Sequence, residues 1–144
     1  MALYARILVT LDGSAVDDAL LEDVARLAEA LGSTVLLLRV AHYHTRDSKV
    51  AEEDEARADL ERAAARLAGL GFPVETVLGH GEPGDVIVAQ AHQLGADLIA
   101  MATHGHGWLE RRVLGSVADF VRHRSDVPLL LVRGHDGDKP RPSE

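Results

Sequence analysis

Cysteine is absent from the 144-residue chain, which excludes disulfides and thiolate metal centres and leaves the redox compartment unmarked. Lysine is nearly absent too, with only Lys49 and Lys139 against thirteen arginines. Neither lies near the glycine-rich segment at residues 105–115, so the P-loop arrangement of a lysine on the β- and γ-phosphates is missing. No apolar run approaches the roughly 20 residues that a membrane span needs. The first residues lack the basic region and long apolar core of a signal peptide, so a soluble cytoplasmic protein without membrane contact is the expectation. An excess of positive charge is also lacking. The formal net charge of −8 argues against a generic nucleic-acid or anionic-membrane binder, although Arg111, Arg112, Arg122, His123 and Arg124 make basic spots.

What is present is a hydrophobic content of 47%, enough in a chain of this length for one compact core and too little length for two domains. Residues 1–134 read as that domain, and the polar stretch 135–144, with Pro140 and Pro142, reads as a disordered tail. Ile7 to Leu11 is a short apolar run closed by Asp12-Gly13-Ser14, a buried strand and a tight turn. A helix follows with Val16, Leu20, Val24, Leu27 and Leu31 on one face and Gly32 at its end; Ser14 with Asp17 comes close to a capping box. Val35 to Val40 reads as a second buried strand and Ala41 to Lys49 as a loop. Val50 to Leu70 forms an amphipathic helix with Ala56, Leu60, Ala63 and Leu67 inward, stopped by Gly71. Val74 to Leu78 alternates as an edge strand does, and Gly79 to Gly81 is a turn. Pro83 opens a helix with Val86, Ile87, Ala91 and Leu94 as its stripe. Leu98 to Ala102, Ser116 to Arg124 and Leu129 to Val132 complete a strand, a helix and a last strand. Five strands alternating with four helices indicate an α/β fold with a parallel sheet and right-handed crossovers.

The stretch from Met101 to Val117 concentrates the chemistry. A strand, a loop carrying Gly105, Gly107 and Gly115, and a helix start follow in that order. Glycines let backbone N–H groups approach an anion, and the open N–H groups of a helix's first turn point at it. Ser116 can cap the helix or donate its hydroxyl to a phosphate. The pairs His42/His44 and His104/His106 each have chelate spacing, but no cysteine and no third ligand at motif spacing accompanies them. His104 or His106 would be the base if hydrolysis occurred. Arg111 and Arg112 read as a solvated pair, and Trp108, the lone tryptophan, as a reporter in the same loop.

Gly105, nine intervening residues and then Gly115-Ser116 resemble the second and third glycines and the hydroxyl of the Gly-x2-Gly-x9-Gly-Ser/Thr pattern of the universal stress protein family, in its ATP-binding branch. Ala102 stands where that pattern has its first glycine. The resemblance runs from Ile7 to Arg133 and includes Ile7 to Ser14 and Gly95 to Met101. It implies a five-stranded parallel sheet of order 3-2-1-4-5 with helices on both faces, Rossmann-like and akin to the adenine nucleotide alpha-hydrolases, with a crevice between strands 1 and 4. It further implies ATP, with Mg or Mn, as ligand. Gly105, His106, Gly115, Ser116 and Val117 would meet the phosphates, Met101 and Ala102 the ribose end, Asp12 the ribose hydroxyls or a phosphate-bound metal, and the Val40 backbone the adenine edge. The expected activity is nucleotide-dependent regulation in a stress response and not catalysis, since no arranged base or nucleophile accompanies the loop. The resemblance also implies a homodimer through Leu129 to Val132, since members of that family often pair through the last strand and an apolar edge is an aggregation liability unless paired. The alternatives are a homodimeric interaction protein that binds no nucleotide, which Ala102 favours, and a nucleotide hydrolase.

Overall fold

The computed structural model describes residues 3–103 and 114–133. The elements in chain order are β1 (Arg6–Leu11), α1 (Val16–Leu31), β2 (Thr34–Ala41), α2 (Arg46–Leu67), β3 (Val74–His80), α3 (Pro83–Gln93), β4 (Leu98–Ala102), α4 (Ser116–Arg124) and β5 (Leu129–Val132). The strands form one parallel sheet of order β3-β2-β1-β4-β5, the order that the family resemblance implies.

Both faces of the sheet are covered because β1, β2 and β4 are apolar on both sides. Ile7, Val9 and Leu11 pack with Leu20 and Val24 of α1 and Leu60 and Leu67 of α2. Leu8, Leu36, Leu38 and Ile99 point the other way, against Ile87 of α3 and Val121 of α4. Full burial of each such side chain contributes roughly 1.5–3 kcal/mol, so these two layers are the main source of stability. The Asp97 carboxylate accepts the N–H groups of Ala5 and Arg6, both at 2.9 Å, and pins the start of β1 beside β4. Gly84 lets α3 approach α4, since a Cβ there would lie 2.5 Å from the Phe120 ring.

Several boundaries differ from the sequence reading. α2 starts at Arg46, not near Val50, because the Thr45 hydroxyl caps it by accepting the Ser48 N–H; the loop before it shrinks to residues 42–45. β3 runs on through Gly79 to His80, paired with Val40 and Ala41, so Gly79 lies in a strand and not in a turn. α2 ends at Leu67, four residues before Gly71. No capping box forms at α1: Ala15 is its N-cap, without a side-chain cap bond. Asp17 instead reaches backwards, its carboxylate accepting the N–H groups of Asp12 (3.2 Å) and Gly13 (2.8 Å). At α4 the N-cap is Gly115, and Ser116 is the first helical residue without a side-chain cap bond.

Candidate functional site

β1 and β4 stay paired from Ile7↔Leu98 to Val9↔Ala100, after which the chain leaves β1 toward the α1–α2 face and β4 toward the α3–α4 face. That divergence at the carboxyl ends of the strands opens a crevice of about 260 Å³. This lies close to the lower end of the roughly 300–1,000 Å³ usual for small-ligand sites.

The crevice collects most of the residues singled out from the sequence. Asp12, Val40, Met101, Ala102, Gly115, Ser116 and Val117 all line it. Gly105 and His106, with His104, Trp108, Arg111 and Arg112, lie outside the described residues, as does the tail 135–144. The Ala102 methyl is accommodated by ordinary backbone, since Tyr4 is the sole non-glycine of positive φ among the described residues. Gly115 donates its N–H to the Thr103 carbonyl at 2.8 Å, which ties the start of α4 to the end of β4 and commits that N–H within the protein. Asp119 N–H returns to Gly115 O at 3.0 Å, so the first-turn N–H groups left open by helix geometry are those of Ser116, Val117 and Ala118.

At the opposite wall, Ala41 O accepts Gly81 N–H on the β3 side. Carbonyls alternate along a strand, so Val40 O points the other way, past Leu11, the last residue of β1 paired with β2. The Val40 carbonyl therefore faces the crevice. His42 and His44 stack edge to face at 4.9 Å, and His42 Nδ1 lies 3.1 Å from Gly81 O. Among the described residues no three His, Cys, Asp or Glu side chains group as a metal set.

Two wall residues, and a third that holds one of them from behind, were not anticipated as such. Asp17, half-buried beside Asp12, carries a carboxyl raised to about 7, chiefly by burial and then by the Asp12 charge, against the lowering effect of the two N–H bonds. Arg39 interrupts the supposedly apolar run of β2 and is held by the buried Asp59 of α2, Nε to Oδ2 at 2.9 Å. A lone arginine in a strand run, and an aspartate three residues after Ala56 on the inward stripe of a helix, are signals the sequence does carry. Asp17 is marked only by its place one turn after the Asp12-Gly13 corner.

Comparison with known proteins follows the same outline. The Universal stress protein family pattern matches residues 3–133. Universal stress protein MJ0577 of Methanocaldococcus jannaschii is 35% identical over 80 residues, which are 56% of this chain and 49% of that protein. Its solved structure overlays with a TM-score of 0.77 at 30% identity, covering 92% of this chain and 97% of that one. A universal stress protein of Thermus aquaticus is 34% identical over 139 residues, 91% of this chain and 100% of the relative. A universal stress protein solved in complex with cAMP overlays with a TM-score of 0.74 at 26% identity, covering 92% and 99% of the two chains. From fold, crevice and this end-to-end match together, the chain belongs to the universal stress protein family.

Proposed function

We propose that the crevice binds an adenine nucleotide, ATP with a Mg or Mn ion, and that the protein is a nucleotide-dependent stress-response regulator of the cytoplasm and not an enzyme. One observation carries the reading: the Val40 carbonyl and the open first turn of α4 border a single crevice that Asp12 also lines. An acceptor carbonyl suits the 6-amino group of adenine, and a helix N-terminus suits phosphates. The relative with bound cAMP supports the same ligand class. The residues present fit a divalent ion in one way. Asp12 and Asp17 supply two carboxylates, and a Mg ion held by one or two carboxylates completes its shell with phosphate and water oxygens. Met101 and Ala102 would lie against the ribose, Ser116 and Val117 against the phosphates, with Gly105, His106 and Gly115 shaping the loop.

The test begins with protein purified without nucleotide, denatured, and the released nucleotide identified by chromatography. Mg-ATP is then titrated while following Trp108 fluorescence. Ser116→Pro is the informative variant. Proline suits the first helical position, and Gly115 already has the extended backbone (φ −59°, ψ 153°) required before it, so the fold is retained while an N–H and a hydroxyl are lost. ATP affinity is expected to fall about tenfold or more, the worth of one charge-assisted hydrogen bond or two. No released nucleotide and no saturation at millimolar ATP would overturn the reading and leave the interaction surface as the functional one.

The same proposal includes a homodimer through β5, whose Leu129, Leu130 and Leu131 are only half-buried at the edge of the sheet. Light scattering on the eluted protein at micromolar concentration is expected to give twice the chain mass of 15.5 kDa; a monomer alone would count against the β5 interface.

A further inference from the structure

Arg39 is the charged residue inside β2, and its side chain, 12% exposed, is held at two points. Nε donates to Asp59 Oδ2 at 2.9 Å, and Nη1 donates to the Val40 carbonyl at 2.8 Å. The Asp59 end is itself fixed, since its side chain is 5% exposed and its other oxygen accepts from Arg62. Packing around the guanidinium is tight on the β1 side as well: a Cβ on Gly13 would sit 3.3 Å from Nη2 and 2.8 Å from Asp59 Oδ2. The carbonyl so held is the one that faces the crevice beyond the end of β1.

We infer that Arg39 is the positioning residue of the base end of this crevice, anchoring the Val40 carbonyl as a fixed acceptor and so selecting a 6-amino purine over a 6-oxo purine. The inference rests on the nucleotide reading above. Beyond Leu11 no β1 backbone steadies Val40 O, so the arginine replaces the missing strand partner with a charge-assisted bond. The Asp59 latch has a second effect. A guanidinium is a strong donor to a 6-oxo oxygen, and one free to turn would welcome inosine or guanine as readily as adenine. With Nε and Nη1 both committed, it cannot turn without breaking a buried ion pair, and a 6-oxo base meets a carbonyl oxygen with an oxygen of its own.

The test uses the full chain and two probes that differ at the purine 6-position and the adjoining N1 proton, Mg-ATP and Mg-ITP, titrated by calorimetry. Wild type is expected to bind ATP at least about tenfold more tightly than ITP, the usual consequence of opposing two acceptors in a site built for a donor. Arg39→Lys keeps a cation beside Asp59 but lacks the planar fork that reaches both partners. It is expected to compress the ATP-to-ITP ratio to about threefold or less while the protein remains folded. A merely structural arginine would weaken both ligands together and leave the ratio in place, and that result overturns the inference. Should the lysine variant not fold, Asp59→Asn, which loosens the latch from the other end, is expected to compress the ratio likewise; an unchanged ratio there has the same force. Equal wild-type affinity for both probes would sink this inference and leave nucleotide binding standing, whereas no binding of either removes both.

Discussion

Asp59→Ala is expected to cost about 3–5 kcal/mol, because it strands the Arg39 guanidinium in a nearly closed site with no carboxylate. For a chain of this size that corresponds to a melting temperature lower by roughly 10–17 °C. The reasoning is one of asymmetry. The intact buried pair gains little net stability over an apolar pair, since desolvating both charges offsets most of their attraction, but half a pair keeps the desolvation cost alone. Two controls separate this from simple loss of contacts. Arg62→Ala removes the exposed partner of Asp59, with a side chain 70% exposed, and is expected to change stability by less than about 1 kcal/mol. The double replacement Asp59→Leu with Arg39→Met is expected to recover most of the loss. Guanidinium chloride titrations of the four proteins measure all of this, and a double variant as unstable as Asp59→Ala would refute the account.

The second large effect is a pH dependence set by Asp17. In the folded protein its carboxyl is raised from 3.8 to about 7, by burial first and by Asp12 second. The folded state therefore keeps a proton between about pH 4 and 7 that the unfolded chain has already released. Where the folded state binds more protons, stability falls as pH rises. The contribution is thus intact below about pH 4, is lost progressively up to about pH 7, and stays lost above it. A pKa difference of that size is worth at most about 4 kcal/mol, and solvent access to this half-buried group reduces it toward about 2. Asp17→Asn retains an oxygen for one of the two N–H groups and has no proton to lose. The drop in unfolding free energy between pH 5 and pH 8 is expected to be smaller in Asp17→Asn than in wild type by about 1–2.5 kcal/mol, because that window takes in only part of the titration. Identical pH profiles for the two proteins would refute the assignment.

Much of the fold was legible because burial on both faces leaves a plain trace. Ile7–Leu11, Leu98–Ala102 and Leu129–Val132 read as short apolar runs between glycine-marked helices, and each is a strand within a residue of its expected limits. Two of the misplaced boundaries arose from hydrogen bonds that composition does not record, one local and one between strands. Thr45 started α2 a full turn early, and pairing with β2 drew Gly79 into β3. Ser14 and Asp17 illustrate the limit more sharply. Both types are proper to a helix start, yet the carboxylate turned back to the Asp12 and Gly13 N–H groups, a choice between two nearby sets of donors. The site was legible in part for a related reason. Asp12, Val40, Met101, Ala102, Ser116 and Val117 stand at strand ends and a helix start, and those places are marked by the pattern. Arg39, Asp17 and Asp59 are ordinary residues by type; the first two became wall residues, and Asp59 the buried partner of Arg39, only when α1 and α2 closed over β1 and β2.

The sequence by itself determined the family, the alternation of strands and helices, the parallel sheet and the position of the glycine-flanked turn, because these follow from hydrophobic period, turn chemistry and motif spacing. Tertiary structure alone decided which groups at the crevice are available. It committed the Gly115 N–H to Thr103, turned the Val40 carbonyl past the end of β1, latched Arg39 between Asp59 and that carbonyl, and set Asp17 against Asp12 so that one of them holds its proton to about pH 7. Each of these depends on distances between elements far apart in the chain or on the burial they create, and neither distance nor burial is a property of any segment read alone.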